Sequence, residues 1–345
     1  MTRFVDLLLA EADQWGNSRP HPLKTIFIGG GTPSLLPLEH MDRLLSGIRS
    51  RFDITQTDEW TVEANPATVT DEYCRMLSAK GVNRLSFGAQ SFDAGELKTL
   101  ERHHVPDDVF RSVELARSAG FDRLNLDLIF AIPGQDLASW RRSLSSALSM
   151  NTPHLSCYAL TFEPNTPIAV RRRMGQLKSL AEDLELQMLY ETRDHLRAIG
   201  IPPYEISNFA APGQACRHNL NYWTGGNYIG LGPSAASHVE GWRWKNRPHL
   251  GEWESAVEAA SLPTTEVETL TPRQRAGELA MLMLRLETGL DLDRCSQRSG
   301  IDASTEFRSV IDRLDQLKLV TVAGNNIRLT RKGIAVADGV AAEFL

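Results

Sequence analysis

The chain has 345 residues, with 37 Lys and Arg against 43 Asp and Glu and a formal net charge of −6. That length can bury a large core and hold more than one domain, while the acidic balance argues against a nucleic-acid partner. No stretch reaches the roughly 20 apolar residues of a membrane span, and Cys74, Cys157, Cys216 and Cys295 form no CxxC pair, so neither disulfides nor a zinc site is expected and a reducing, cytoplasmic setting is.

The first residues, "MTRFVDLLLAEADQWG", read as an amphipathic helix without the basic start and small-residue cleavage site of a signal peptide. From Thr25 to about Thr161, β-rich runs alternate with amphipathic helices. The strand candidates are "TIFIGG", "WTVEANP", "RLSFGAQS", "RLNLDLIFAIP" and "HLSCYALTFEP". This alternation predicts a parallel sheet with helices outside, either doubly wound or a complete or partial barrel. One helix is expected to open at Thr70-Asp71-Glu72 and close at Gly81, where a left-handed cap belongs.

Beyond Pro167 the pattern changes. Residues 179–199 predict one long helix with Leu180, Leu184, Met188 and Leu196 on a stripe. An aromatic and glycine-rich stretch from Tyr204 to Asn246 has strand character at both ends, and Trp242 and Trp244 are expected to flank a strand and fill core. From about Leu262 two amphipathic helices precede a two-strand wing, "LVTVAGNNIRLT", with a Gly324-Asn325 turn. The expected organisation is a barrel at 1–175, a linking segment at 176–262 and a winged-helix-like α+β domain at 263–345.

Ligands bind at the C-terminal ends of strands in such sheets. Gly29-Gly30-Gly31-Thr32 follows the first strand, Glu63 the second, Gln90 the third, and Asp127 falls in the fourth. A glycine loop, two carboxylates and an amide on four successive elements point to one site. Glycines let backbone groups reach a ligand's carboxylate, ammonium or phosphate. Glu63 can accept ribose hydroxyls or bind an ammonium group, and Arg102 can pair with a carboxylate. The set suits a small zwitterionic nucleoside at least as well as a dinucleotide. A dinucleotide fingerprint fits poorly, because Ser34 stands where its third glycine belongs and the next strand-end acid comes too late.

The segments "TIFIGGGTPSLLP", "VEANPATV", "GVNRLSFGAQSFDAGELKTLERHH", "NLDLIFAIPGQ", "PHLSCYALTFEPNTP" and "CRHNLNYWTGGNYIGLGPSA" together resemble the radical S-adenosylmethionine superfamily. Within it they are closest to the HemN/HemW branch, on the side of its heme chaperones. The resemblance implies a partial TIM-like (β/α) barrel without the family's first strand. It assigns Gly30, Gly31 and Thr32 to the methionyl end of S-adenosylmethionine, with Glu63, Gln90, Arg102 and Asp127 as further contacts. The implied function is to bind heme and deliver it to hemoprotein targets. Its alternatives are a coproporphyrinogen III dehydrogenase-type enzyme, or a cluster-less module that binds only the nucleoside.

One departure matters. The superfamily holds a 4Fe–4S cluster through a CxxxCxxC motif, and this chain has none. Either the chain is an incomplete product or it is a natural variant without the cluster; intact cofactor-side residues and an unprotected apolar first strand favour the former. Reductive cleavage of S-adenosylmethionine is not expected of the chain as written. Cys74 and Cys157 are expected to be core thiols.

A second constellation is "RHNLNYW". His218 is a candidate axial ligand of heme iron, Arg217 a candidate partner for a propionate, and Tyr222 and Trp223 candidates for stacking on a porphyrin. The alternative is structural: His218 and Asn219 hydrogen-bond a turn while Tyr222 and Trp223 anchor two domains. His103 and His104 are expected to be solvated. Arg171, Arg172 and Arg173 form a solvated basic face, with propionate or peripheral acidic-lipid contact as the lesser reading. Ser91 and Ser156 have no triad context.

Overall fold

The computed structural model describes residues 1–16, 22–164 and 166–345. In chain order α1 (Thr2–Gly16) precedes β1 (Thr25–Ile28), α2 (Leu38–Arg51), β2 (Glu59–Ala64), α3 (Asp71–Ala79), β3 (Arg84–Gln90), α4 (Ala94–Thr99), α5 (Pro106–Ser118), β4 (Arg123–Phe130), α6 (Leu137–Ser149) and β5 (His154–Ala159). The five strands pair in parallel in sequence order. They are the five read from the sequence. Near-continuous burial along β2 to β5 is what a sheet covered on both faces requires. Trp60, Phe87, Phe130 and Trp140 fill the layer between sheet and helices. Cys74 and Cys157 sit buried within it. Thr70 caps α3 by accepting from the Tyr73 N–H, and Gly81 closes its turn at φ +96°.

After α7 (Pro167–Arg173) and the long α8 (Glu182–Ala198), a sixth strand, β6 (Asn208–Ala210), joins antiparallel to β5. The sheet therefore borrows a strand from the expected linking segment. Met188 and Leu196 on α8 are fully buried against the sheet. The short helix α9 (Arg217–Trp223) follows, then a three-stranded antiparallel sheet of β7 (Ala236–Val239), β8 (Trp242–Asn246) and β9 (Thr264–Thr269), with α10 (Leu250–Glu258) between β8 and β9. Since β9 pairs with β8, this sheet runs across the expected boundary at 263.

The C-terminal part contains α11 (Pro272–Met283), β10 (Leu290–Asp291), α12 (Leu292–Ser299), α13 (Ala303–Glu306), α14 (Arg308–Gln316), β11 (Val320–Ala323), β12 (Asn326–Leu329), α15 (Arg331–Ala335) and α16 (Ala337–Ala342). The β11–β12 wing forms as read, and β10 adds a third strand beside β12. Its own core gathers around Leu279, Phe307 and Phe344.

One buried carboxylate, beside surface ion pairs of Asp6 with Arg43 and Asp13 with Arg51, fastens the N-terminal helix. Glu11 is fully buried and accepts from the Gly232 N–H at 2.8 Å, Asn246 Nδ2 at 2.6 Å and Trp253 Nε1 at 3.0 Å. Burial pushes its pKa up and the three donors oppose that shift. Two expectations fail here. Trp242 is 54% exposed and lies on β8 itself, while Trp244 stacks on Trp15 at 5.4 Å and does not enter a core. His104 is not solvated: it is buried, with Nε2 at 3.0 Å from the Ala89 carbonyl. The turn after α4 folds it back under β3, something two adjacent histidines in a sequence do not reveal.

Candidate functional site

The triple glycine divides into two jobs. Gly29 leaves room: a Cβ there would lie 2.8 Å from Glu63 Oε2 and 2.6 Å from the Phe27 ring. Gly30 and Gly31 take φ values of +82° and +64°, conformations that L side chains rarely adopt, and nothing stands within 4 Å of where their Cβ atoms would be. The loop thus presents bare backbone, and the Gly30 N–H donates to Glu63 Oε2 at 3.2 Å. Thr32 follows in extended backbone and opens a short turn at Pro33–Leu35.

Glu63, Gln90, Arg102 and Asp127 all line one cavity of about 1010 Å³ enclosed by the strands, α8 and the α15–α16 junction. Gly30 adjoins it through Glu63; Gly31 and Thr32 do not line it. Gln90 is held at φ +64°, where β3 slips register against β4. Such backbone costs a non-glycine residue on the order of 1–2 kcal/mol and aims Gln90 off the strand line.

The sequence reading missed the cavity's floor. Period-two alternation places Arg84 and Ser86 on the face of β3 that carries Gln90, and Asn125 on the face of β4 that carries Asp127. That periodicity was the available signal. Asn125 Nδ2 donates to Asp127 Oδ1 at 2.8 Å and Ser86 Oγ at 2.7 Å, and the Ser86 hydroxyl donates to Asp127 Oδ2 at 3.3 Å. Asn125 Oδ1 accepts from Ser156 at 3.2 Å and from His154 Nδ1 at 2.6 Å. This requires the His154 proton on Nδ1, so Nε2 accepts from the Tyr204 hydroxyl at 3.0 Å. Burial holds His154 neutral, with Arg84 and Arg123 adding to the effect. Asp127 is pushed up by burial, against the pull of Ser156, Asn125, Arg84 and Ser86. Burial likewise raises Glu63, the Asp127 charge adds to it, and the Gly30 N–H and Arg84 oppose. Two inward carboxylates whose charged forms are disfavoured by burial would be stabilised as anions by a cationic ligand.

The "RHNLNYW" segment is otherwise employed. Glu59, fully buried at the start of β2, accepts from the N–H groups of Arg217 and His218 at 3.0 Å each and from Cys216 Sγ at 3.3 Å, fixing the N-terminus of α9. His218 Nδ1 lies 2.8 Å from Thr25 Oγ1 and Nε2 lies 2.8 Å from the Tyr222 hydroxyl. Its ring stacks on Phe27 at 5.1 Å. Both nitrogens are engaged, so ligating iron would require His218 to give up one of these hydroxyl partners. Arg217 pairs with Asp58 at 2.6 Å, and Arg285 lies 4.7 Å over the Trp223 ring. In this structure the candidate heme contacts Arg217, His218, Tyr222 and Trp223 all take part in contacts within the protein. They tie the edge strand β1 to α9 and α9 to the C-terminal part. Asn219, passed over as a ligand, is the member of the segment that lines the cavity.

Ser91 is buried in a network with Glu96 and Ser143. On α7, Arg171 donates to the Thr99 carbonyl at 3.5 Å and Arg172 lies over Phe162 at 4.5 Å. The four cysteines are buried on separate elements, and among the described residues no three His, Cys, Asp or Glu side chains are grouped to hold a metal ion. The residues present do not fit a cysteine-ligated cluster. They do fit a sulfonium nucleoside, through the bare Gly30–Gly31 backbone and the two inward carboxylates. Among the described residues no helix is long and apolar enough to cross a membrane.

Comparison with known proteins agrees with this architecture. Residues 2–147 match the radical SAM superfamily and residues 270–336 the HemN C-terminal domain. The heme chaperone HemW of Lactococcus lactis is 34% identical over 326 residues, covering 94% of this chain and 85% of that protein. HemW of Bacillus subtilis is 35% identical, covering 94% and 86%. HemW of Escherichia coli is 44% identical over 238 residues, covering 68% and 62%. The solved structure of Escherichia coli coproporphyrinogen III oxidase (HemN), a radical SAM enzyme, superposes with a TM-score of 0.85 at 22% identity, covering 99% of this chain and 82% of that one; this likeness speaks to the fold. The chain belongs to the HemN/HemW branch of the radical S-adenosylmethionine superfamily.

Proposed function

We propose that this protein is a heme chaperone that retains an S-adenosylmethionine pocket, binding heme and passing it to hemoprotein acceptors. The observation that carries the reading is the convergence of Glu63, Gln90, Arg102 and Asp127 on one cavity, in a chain that aligns over 94% of its length with curated heme chaperones. The Gly30 and Gly31 backbone would meet the amino-acid end of the nucleoside. Glu63 and Asp127 would face its positive charges, and Arg102 at the rim its carboxylate. S-adenosylmethionine, when bound, supplies a sulfonium centre.

At about 1010 Å³ the cavity stands at the upper limit of the about 300–1,000 Å³ that drug-sized ligands occupy. Its wall of Leu186, Leu189, Ile334 and Val336 supports apolar contact beyond the nucleoside, and a flat macrocycle matches that wall. His218 is hydrogen-bonded to Thr25 and Tyr222, which supports heme association on this surface over ligation by the "RHNLNYW" imidazole. Heme titration of the purified chain tests the proposal. A saturable 1:1 Soret change and transfer to an apo-hemoprotein are expected; no saturable binding refutes it. Calorimetry with S-adenosylmethionine tests the pocket separately.

A further inference from the structure

Most charges around the cavity are matched. Arg123 meets Glu59 at 2.8 Å, and Arg285 faces Glu205 at 3.7 Å and Asp338 at 3.6 Å. Burial keeps the imidazoles of His154 and His218 uncharged. Arg102, exposed at the rim, and the part-buried Glu185 add one charge of each sign. Three groups remain on the strands inside: Glu63 on β2, Asp127 on β4, and Arg84 on β3 between those strands. Arg84 is 3% exposed and lines the cavity. No direct ion pair within 4.0 Å or hydrogen bond of its guanidinium is found among the described residues, and its charge acts on Glu59, Glu63 and Asp127 from a greater distance. A buried guanidinium left in that state is costly unless opposite charge stands nearby, and the two inward carboxylates supply it.

We propose that Arg84 is a specificity-determining residue: it offsets one of the two inward carboxylates, leaving the cavity one net negative charge that selects a sulfonium nucleoside over its thioether counterpart. The proposal rests on the S-adenosylmethionine reading above and deepens it. That ligand carries a sulfonium, an ammonium and a carboxylate, hence one net positive charge. S-adenosylhomocysteine has nearly the same shape and no net charge. At the effective dielectric of about 20 that suits protein sites, one unit charge across a cavity is worth on the order of tenfold in affinity.

The test is calorimetry of both ligands at about pH 8 with wild type, Arg84→Met, Asp127→Asn and the double variant. Wild type is expected to prefer S-adenosylmethionine. Asp127→Asn should lose on the order of tenfold of that preference and Arg84→Met gain a similar factor. The double variant should return to the wild-type ratio, and Arg84→Lys should keep it. A purely structural role for Arg84 would weaken both ligands together and leave the ratio unchanged. Arg84→Gln replaces Arg84→Met if circular dichroism shows the latter unfolded. A folded, uncharged variant at position 84 with the wild-type ratio overturns the proposal, as does a double variant that behaves like Asp127→Asn. If the wild type binds neither ligand, the pocket reading itself fails, a result visible before any variant is made.

Discussion

Acidification should probe the His218 joint directly. Burial, the largest cause, lowers its pKa from 6.5 to about 4, with Arg84 adding and Glu59 opposing. The unfolded imidazole takes its proton near pH 6.5 and the folded one does not until about pH 4. The unfolded state therefore binds more protons within that window. Stability is complete above pH 6.5 and is lost as pH falls toward 4. At pH 4.5 the two pKa values give a penalty of about 2.5 kcal/mol, using 1.36 kcal/mol per unit. The assay compares urea denaturation of wild type and His218→Gln at pH 7 and pH 4.5. The variant should be less stable by about 1–3 kcal/mol at pH 7, because the Thr25 and Tyr222 hydroxyls lose their partner. It should also show an acid loss smaller than the wild type by about 2.5 kcal/mol. An equal acid loss in both proteins would refute the buried, neutral imidazole. Heme affinity and the Soret spectrum should be the same in both if heme associates with the cavity wall, as proposed above.

Three further outcomes follow from the geometry. Gly31→Ala meets no atom within 4 Å, so it should cost only the 1–2 kcal/mol of left-handed backbone. Calorimetry should nonetheless show S-adenosylmethionine affinity falling on the order of tenfold if, as proposed, the amino-acid end of the nucleoside reaches beyond the cavity to this loop. Glu59→Gln weakens the cap on α9 and leaves Arg123 without its 2.8 Å partner; about 3 kcal/mol of stability should go, measured by denaturant midpoint. In Gly333→Ala the Cβ would sit 1.9 Å from the Leu319 carbonyl. Backbone cannot yield there as a side chain could, so the β11–β12 wing should become protease-sensitive while residues 22–164 stay protected.

Much of this molecule could be read from local pattern. Strand-helix alternation identified β1 to β5, and the Thr70 and Gly81 signals bracketed α3. The strand-end rule assembled Glu63, Gln90 and Asp127 around one cavity. All of these depend on periodicity and on the positions of residues within single elements, which a sequence displays directly. Arg84, Asn125 and Ser156 were legible in principle, through alternation along β3 to β5. They went unread because a charged or polar residue inside a strand carries no label saying whether it faces a cavity or solvent.

What only the tertiary structure decided are contacts between residues far apart in the chain. Glu59 reaches Arg217 and His218 across about 160 residues, and Glu11 reaches Trp253 across 242. No periodicity links such partners, because their meeting depends on how sheet, helices and C-terminal part close on one another. The "RHNLNYW" segment shows the consequence. Its composition suggested heme ligation, whereas in the fold Thr25 and the Tyr222 hydroxyl lie against its two imidazole nitrogens, a pairing that only the meeting of β1 with α9 creates.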